Sequence, residues 1–302
     1  MAKPVIEEEL RDTLVTMLDG AFVFAQTPVG SDSAAQRQRR LMVLVVDDVE
    51  INREIMRVIL ERRGHGMAAA CNGREAVDAC RDDAFDMVFM DIQMPVMDGY
   101  QAMRAIRSLE GDSGHRTPIV AMTAYALKGD REKCLEAGAD DYLAKPARPA
   151  EVIGCLERLL VDPGADLPQS LCLPAALAAP PVPLAKALEL PVFDRDDLEK
   201  RLGGDEMLAH FIGMFTRLIP GYLASLRDTL REGDAEQVGI KAHTIRGASA
   251  NISATSMSRI AYDIENLATG GVLDGAPELL AELEEAFGKF EERTISYLGG
   301  EG

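Results

Sequence analysis

The sequence predicts two folded units of different class: an α/β doubly wound five-stranded parallel sheet, then an all-α four-helix bundle. Three observations carry that prediction. Short apolar runs alternate with amphipathic stretches from Leu41 onward. Residues 162–191 hold seven prolines among many alanines, the composition of a semi-extended linker. Beyond them, long helical stretches are separated by glycine-containing breaks. The implied organisation is an N-terminal helix and linker at 1–40, an α/β domain at 41–161, a Pro/Ala-rich linker at 162–191 and a helical domain at 192–302.

Residues 5–18 place Ile6, Leu10, Leu14, Met17 and Leu18 at helical spacing. That short amphipathic helix suits either docking and dimerisation or local packing. From Gln26 to Arg40 the chain turns polar. Residues 41–46 are a continuous apolar run, the pattern of a parallel strand covered on both faces. A helix is predicted over 52–63, a strand over 67–71 and a helix over 73–82. The third strand, 85–90, ends at Asp91. Helices follow at 99–109, 127–137 and 148–160, interleaved with strands at 119–123 and 141–144. Five strands alternating with five helices make the doubly wound unit. In the second domain a short helix over 194–201 meets a break at Gly203-Gly204. Longer helices are predicted over 205–231, 234–252, 255–268 and 276–298. Gly233-Asp234 and Gly270-Gly271 supply turns between them, and short connections predict an antiparallel bundle.

Composition narrows the function classes. Of 302 residues, 47% are hydrophobic, enough for real cores, and the formal net charge is −18. A nucleic-acid domain usually carries a basic stripe, so no nucleic-acid partner is expected. Cys71, Cys80, Cys134, Cys155 and Cys172 show neither CxxC nor metal-ligand spacing and read as free thiols of a reducing compartment. No apolar 18-mer and no signal-peptide pattern is seen, so a cytoplasmic protein without membrane insertion is expected.

The chemistry-bearing residues form two groups. Asp47 and Asp48 follow the first strand, Asp91 ends the third, Thr123 ends the fourth and Lys145 follows the fifth. In an open α/β sheet the carboxyl ends of the strands form the ligand crevice. Three carboxylates gathered there repel unless a cation lies among them, and an all-oxygen set suits Mg²⁺. Asp91 is then the nucleophile that forms an acyl phosphate. Asp47 and Asp48 hold Mg²⁺ directly or through water. Lys145 neutralises the phosphoryl oxygens and Thr123 donates a hydrogen bond to them. Pro146 is a candidate for a cis bond.

The second group is the run Ala242-His243-Thr244-Ile245-Arg246-Gly247-Ala248-Ser249. Arg246 and Gly247 share a helix face with His243. Glycine inside a helix costs about 1 kcal/mol against alanine, a cost consistent with a surface that something bulky approaches. A neutral, exposed histidine is a competent nucleophile, and Arg246 is placed to bind incoming phosphoryl oxygens. Lys241, Gly247 and Ser249 complete the expected surface. His65 lies between glycines, His115 in a polar loop, and His210 beside Phe211 in a structural setting.

Residues 41–160 resemble the receiver domain of two-component response regulators. The runs Val46-Asp47-Asp48, Met90-Asp91-Ile92-Gln93-Met94-Pro95-Val96-Met97-Asp98-Gly99, Met122-Thr123-Ala124 and Asp141-Tyr142-Leu143-Ala144-Lys145-Pro146 carry the likeness. The resemblance implies a flavodoxin-like sheet, with Asp91 taking phosphate from a phosphohistidine. It also implies that the Gln93 backbone oxygen completes the Mg²⁺ shell and that Thr123 and Tyr142 move together as a switch. Residues 192–298 resemble a histidine-containing phosphotransfer (HPt) domain, whose exposed histidine shuttles phosphate between receivers. The family's lysine three after the histidine is Arg246 here, which keeps the charge and changes the hydrogen-bond geometry.

Together these imply a phosphorelay component. Its expected partners are a sensor histidine kinase and a downstream receiver or response regulator, and its oligomeric state is not specified. No ATP-binding kinase domain is read in the chain, so enzyme status stays open. Two alternatives stand beside the relay: a phosphorylation-controlled interaction module, and a phosphate sink that never passes phosphate to His243.

Overall fold

Strands β1 (Met42–Val46), β2 (Gly66–Ala70), β3 (Met87–Asp91), β4 (Ile119–Thr123) and β5 (Asp141–Ala144) form one parallel sheet in the order β2-β1-β3-β4-β5. The computed structural model describes residues 39–111, 116–123, 128–161, 191–202 and 204–298. The expected helix at 5–18 and nearly all of the 162–191 linker lie outside the described residues. The register pairs Val46 with Met90, Asp91 with Met122 and Thr123 with Ala144. Four strand ends therefore meet at one rim, where the sequence placed the acidic residues.

The helices are α1 (Glu50–Glu61), α2 (Gly73–Asp82), α3 (Gly99–Glu110), α4 (Lys128–Glu136) and α5 (Pro149–Leu156). Side chains alternate across each strand. Val43, Val45, Met87, Phe89, Val120 and Met122 pack with Ile55 and Ile59 of α1 and Val152 and Leu156 of α5. Leu44, Val46, Val88, Met90, Ile119 and Ala121 pack on the other side with α2, α3 and α4. Every strand but the edge pair is thus covered twice, which explains the unbroken apolar runs.

Most element ends shift by one or two residues from the sequence reading, and two of the differences have a visible local setting. Helix α1 starts at Glu50 rather than 52, because Asp47 Oδ1 accepts from the Val49 amide at 3.0 Å and starts the first turn early. Helix α5 ends at Leu156 and continues as a π turn over Glu157–Val161, from which Arg158 reaches back to Asp141 at 2.5 Å.

The second domain holds α6 (Arg195–Leu202), α7 (Asp205–Glu232), α8 (Ala235–Asn251), α9 (Thr255–Thr269) and α10 (Ala276–Leu298). Gly233, at φ 73°, ends α7 in the left-handed region that favours glycine. Asp234 then caps α8 by accepting from the Gln237 amide at 3.1 Å. Phe211, Phe215, Ile219, Ile245, Ile264, Leu283 and Phe290 fill the bundle. Phe215 meets Phe290 edge-on at 4.9 Å between ring centroids.

The described residues from Arg40 onward form one compact unit. The apolar cluster on the α1/α5 side of the sheet runs on into the bundle core. Among the described residues no helix is long and apolar enough to cross a membrane.

Candidate functional site

The rim residues come together as expected. Carboxylate oxygens of Asp47, Asp48 and Asp91 lie within 4.8 Å of one another. Lys145 Nζ sits 2.6 Å from Asp47 Oδ2 and 2.6 Å from Asp91 Oδ2. The Lys145–Pro146 bond is cis. Asp91 is held in place by the turn after it: the Gln93 amide donates to Asp91 Oδ1 at 3.3 Å, and the Gly99 amide to Ile92 O at 2.9 Å. A Cβ at Gly99 would overlap the Asp91 carbonyl, so only glycine allows α3 to begin this close to β3. Thr123 is buried at the end of β4, and its carbonyl accepts from the Lys145 amide at 2.8 Å. Tyr142 is half-buried on β5, its ring 5.9 Å from the Arg131 guanidinium.

Burial pushes Asp91 up to about 6, with Asp47 and Asp48 adding to the rise and Lys145 and His243 opposing it. Burial likewise pushes Asp48 up to about 6, reinforced by Asp47 and opposed by Lys145 and Thr244. Burial alone would lower Lys145, but Asp47 and Asp91 outweigh it and hold the ammonium above its ordinary range. Asp48 Oδ1 is buried without a hydrogen-bond donor among the described residues. An all-oxygen set, crowded negative charge and one unmet carboxylate oxygen fit a small hard divalent cation.

The histidine is not exposed, contrary to the sequence reading. His243 is 7% exposed, because its face of α8 lies against the α/β domain. His243, Gly247 and Asn251 recur every four residues and so form one stripe. Asn251 Nδ2 donates to Asn52 Oδ1 at 2.6 Å, and Asn52 Nδ2 in turn to Asp47 Oδ1 at 2.9 Å. A Cβ on Gly247 would lie 3.7 Å from Asn52 Nδ2. Beside the stripe, the Thr244 hydroxyl donates to Asp48 Oδ2 at 3.2 Å.

The imidazole is gripped from behind. His243 Nδ1 lies 3.0 Å from Glu265 Oε1 and 3.1 Å from Arg246 Nη2. Arg246 Nη1 forms an ion pair with Glu265 Oε2 at 3.0 Å, and the guanidinium also lies over the Tyr262 ring at 5.6 Å. With Nδ1 engaged, Nε2 is the nitrogen left for chemistry.

Two surface assignments are corrected by helical phase. Ser249 is 0% exposed, its hydroxyl without a hydrogen-bond partner among the described residues. At about 100° per residue, its six-residue offset turns it well away from the His243 stripe. Lys241, two residues before His243, is half-buried on another face. Sequence reasoning missed Glu265, Asn52 and Asn251. Glu265 lies on the next helix, and the asparagines are 199 residues apart, so no local spacing marks them.

The family profile of the response regulator receiver domain matches residues 43–157, and that of the Hpt domain matches residues 210–293. Hybrid signal transduction histidine kinase I of Dictyostelium discoideum is 41% identical over 112 residues, 35% of this chain and 6% of that protein. The aerobic respiration control sensor protein ArcB of Escherichia coli (strain K12) is 25% identical over 245 residues, 81% of this chain and 30% of that protein. The chain thus spans less than a third of either relative. A crystal structure of the receiver domain of sensor histidine kinase PA1611 from Pseudomonas aeruginosa PAO1, with magnesium coordinated in its active-site cleft, is 40% identical. It covers 39% of this chain and 96% of its own, with a TM-score of 0.37.

Proposed function

We propose that this chain, in which a response regulator receiver domain at residues 43–157 is followed by an Hpt domain at residues 210–293, is a phosphorelay protein whose two phosphosites are Asp91 and His243. The observation that carries this reading is the seating of the His243 stripe over the acidic rim, through Thr244 to Asp48 and Asn251 to Asn52. A phosphohistidine of a sensor kinase gives its phosphoryl group to an Asp91 oxygen: the donor P–N bond breaks as the P–O bond forms. In the second step the Asp91 P–O bond breaks as Nε2 of His243 forms a P–N bond, and the carboxylate is regenerated. His243 in turn exchanges phosphate with a downstream receiver.

Asp47, Asp48, Asp91 and the Gln93 backbone oxygen are the proposed holders of Mg²⁺. Bound there, Mg²⁺ supplies positive charge against the phosphoryl oxygens. Lys145, already between Asp47 and Asp91, adds a second positive charge. His243 Nε2 is the proposed acceptor on the Hpt side, with Gly247 leaving room beside it and Arg246 and Glu265 holding the imidazole from behind. Thr123 and Tyr142 are assigned the switch, supported by their places on adjacent strands, Thr123 at the end of β4 and Tyr142 opposite Ala121 two positions earlier. The cytoplasm is the proposed location, supported by the free thiols of Cys71, Cys80 and Cys155.

The test labels the chain with a small acyl phosphate and Mg²⁺, and maps phosphate by mass spectrometry under conditions that preserve phosphohistidine. Wild type is expected to carry label on both sites, Asp91→Ala on neither, and His243→Gln on Asp91 alone. Label that never reaches His243, even with a downstream receiver present, would overturn the relay in favour of an interaction module or a phosphate sink.

A further inference from the structure

We propose that helix α1 of the receiver is a docking surface for this chain's own Hpt bundle, which thereby competes with outside phosphodonors for Asp91. The inference rests on the reading of Asp91 as phosphoacceptor and names its resident partner.

Four kinds of contact define the surface. The buried amide pair Asn251–Asn52 continues to Asp47, so it fixes both the register of α8 and the orientation of the Asn52 side chain. A partner lacking that amide would leave the buried Asn52 Oδ1 without its donor, a selective penalty. At the far end of α1, Arg62 Nη1 donates to Leu202 O at 2.6 Å. It thereby satisfies a carbonyl at the C-terminus of α6, where positive charge is favoured. Glu50 and Glu54 face Arg217 at 3.8 Å and His210 at 3.9 Å on α7. These two pairs are exposed, and steer more than they hold. Beneath them the apolar cluster is continuous across the seam.

The seam closes the acceptor. Asp91 is 2% exposed. A small cavity within the seam, lined by Asp47, Asn52, Met56, Lys145 and Asn251 among others, holds about 20 Å³, room for about one water molecule. Neither an acyl phosphate nor a second histidine domain fits while the bundle is seated. Phosphorylation from outside therefore requires the bundle to lift, and the tether returns it at an effective concentration of roughly millimolar. Helix α6, the first element after the tether, is itself in the seam through Leu202, which favours the bundle of the same chain over that of a second copy.

The test compares the full-length chain with Arg62→Glu/Arg217→Glu. Both positions are on the protein surface, and the changes place negative charge against Leu202 O and Glu50. Total phosphoryl uptake from acetyl phosphate with saturating Mg²⁺ is followed alongside the radius of gyration by small-angle scattering. The proposal expects uptake about tenfold faster in the variant, a larger radius, and wild-type uptake independent of protein concentration. Equal rates and equal radii, with Asp91 labelled in both, would overturn the docking while leaving the acceptor reading intact. Wild-type uptake that quickens on dilution would assign the bundle to a second copy and overturn docking in cis. No label on Asp91 in either chain would remove the acceptor reading and this inference with it.

Discussion

Glu265 and Arg246 compete for a single ring nitrogen. Nδ1 of His243 either donates to Glu265 or accepts from Arg246, and only the first leaves Nε2 with its lone pair. The Glu265 carboxylate, paired with Arg246 on its other oxygen, favours that productive form. Glu265→Ala should therefore slow phosphoryl transfer to His243 by about 10- to 100-fold while leaving Asp91 labelling intact. Glu265→Gln, which keeps an acceptor oxygen, should recover part of the loss; quench-flow labelling of both sites checks this. Asp48 and Asp91 yield a pH prediction. Both are pushed from 3.8 to about 6 in the folded chain, so between those values the folded state holds protons that the unfolded state has released. The stability they contribute is complete below pH 3.8 and is lost as pH rises through about 6. Without divalent cations, Asp48→Asn should gain melting temperature over wild type at pH 7 and little at pH 4. Adding Mg²⁺ at pH 7 should raise the wild-type value more than the variant's. An Asp48→Asn advantage of the same size at both pH values would contradict the burial argument. The rim residues were legible in the sequence because strand ends converge by topology. Glu265 was not, because its role comes from the packing of α9 on α8.

At the scale of elements, periodicity placed the strands and helices of the described residues to within a few residues at their ends, and the early start of α1 has a local setting. Asp47 starts α1 early through a side-chain hydrogen bond that hydropathy does not register. Helical phase also decides which residues of α8 act together. Gly247 shares the His243 stripe, whereas Ser249, two residues further on, is fully buried away from it. Two glycines give contrasting predictions. Gly99→Ala forces a Cβ into the Asp91 carbonyl, so it should destabilise the receiver by roughly 1–3 kcal/mol and reduce Asp91 labelling. Gly247→Ala places its Cβ at an ordinary 3.7 Å from Asn52. It should preserve transfer and stabilise α8 by up to about 1 kcal/mol. A long side chain there, as in Gly247→Gln, should block the seam and slow labelling of His243. Thermal melts and phosphosite mapping separate the two cases. A destabilising Gly247→Ala would mean that the approach at that position is tighter than described.

At the scale of the whole molecule, the sequence announced two domains but not their arrangement. Asn52 and Asn251 are 199 residues apart, and an asparagine on a helix face carries no sign of its partner. The exposed histidine expected from the motif is instead covered, because the bundle presents it to its own receiver. On the proposed function, Asp91 and His243 exchange a phosphoryl group within one chain. The most direct measurement is the rate at which label moves from Asp91 to His243 in rapid-quench experiments at several protein concentrations. It is paired with an equimolar mixture of Asp91→Ala and His243→Gln chains. Transfer in cis predicts a wild-type rate that is independent of concentration, and a mixture that is slower and concentration-dependent. A wild-type rate that scales with concentration and is matched by the mixture would contradict it.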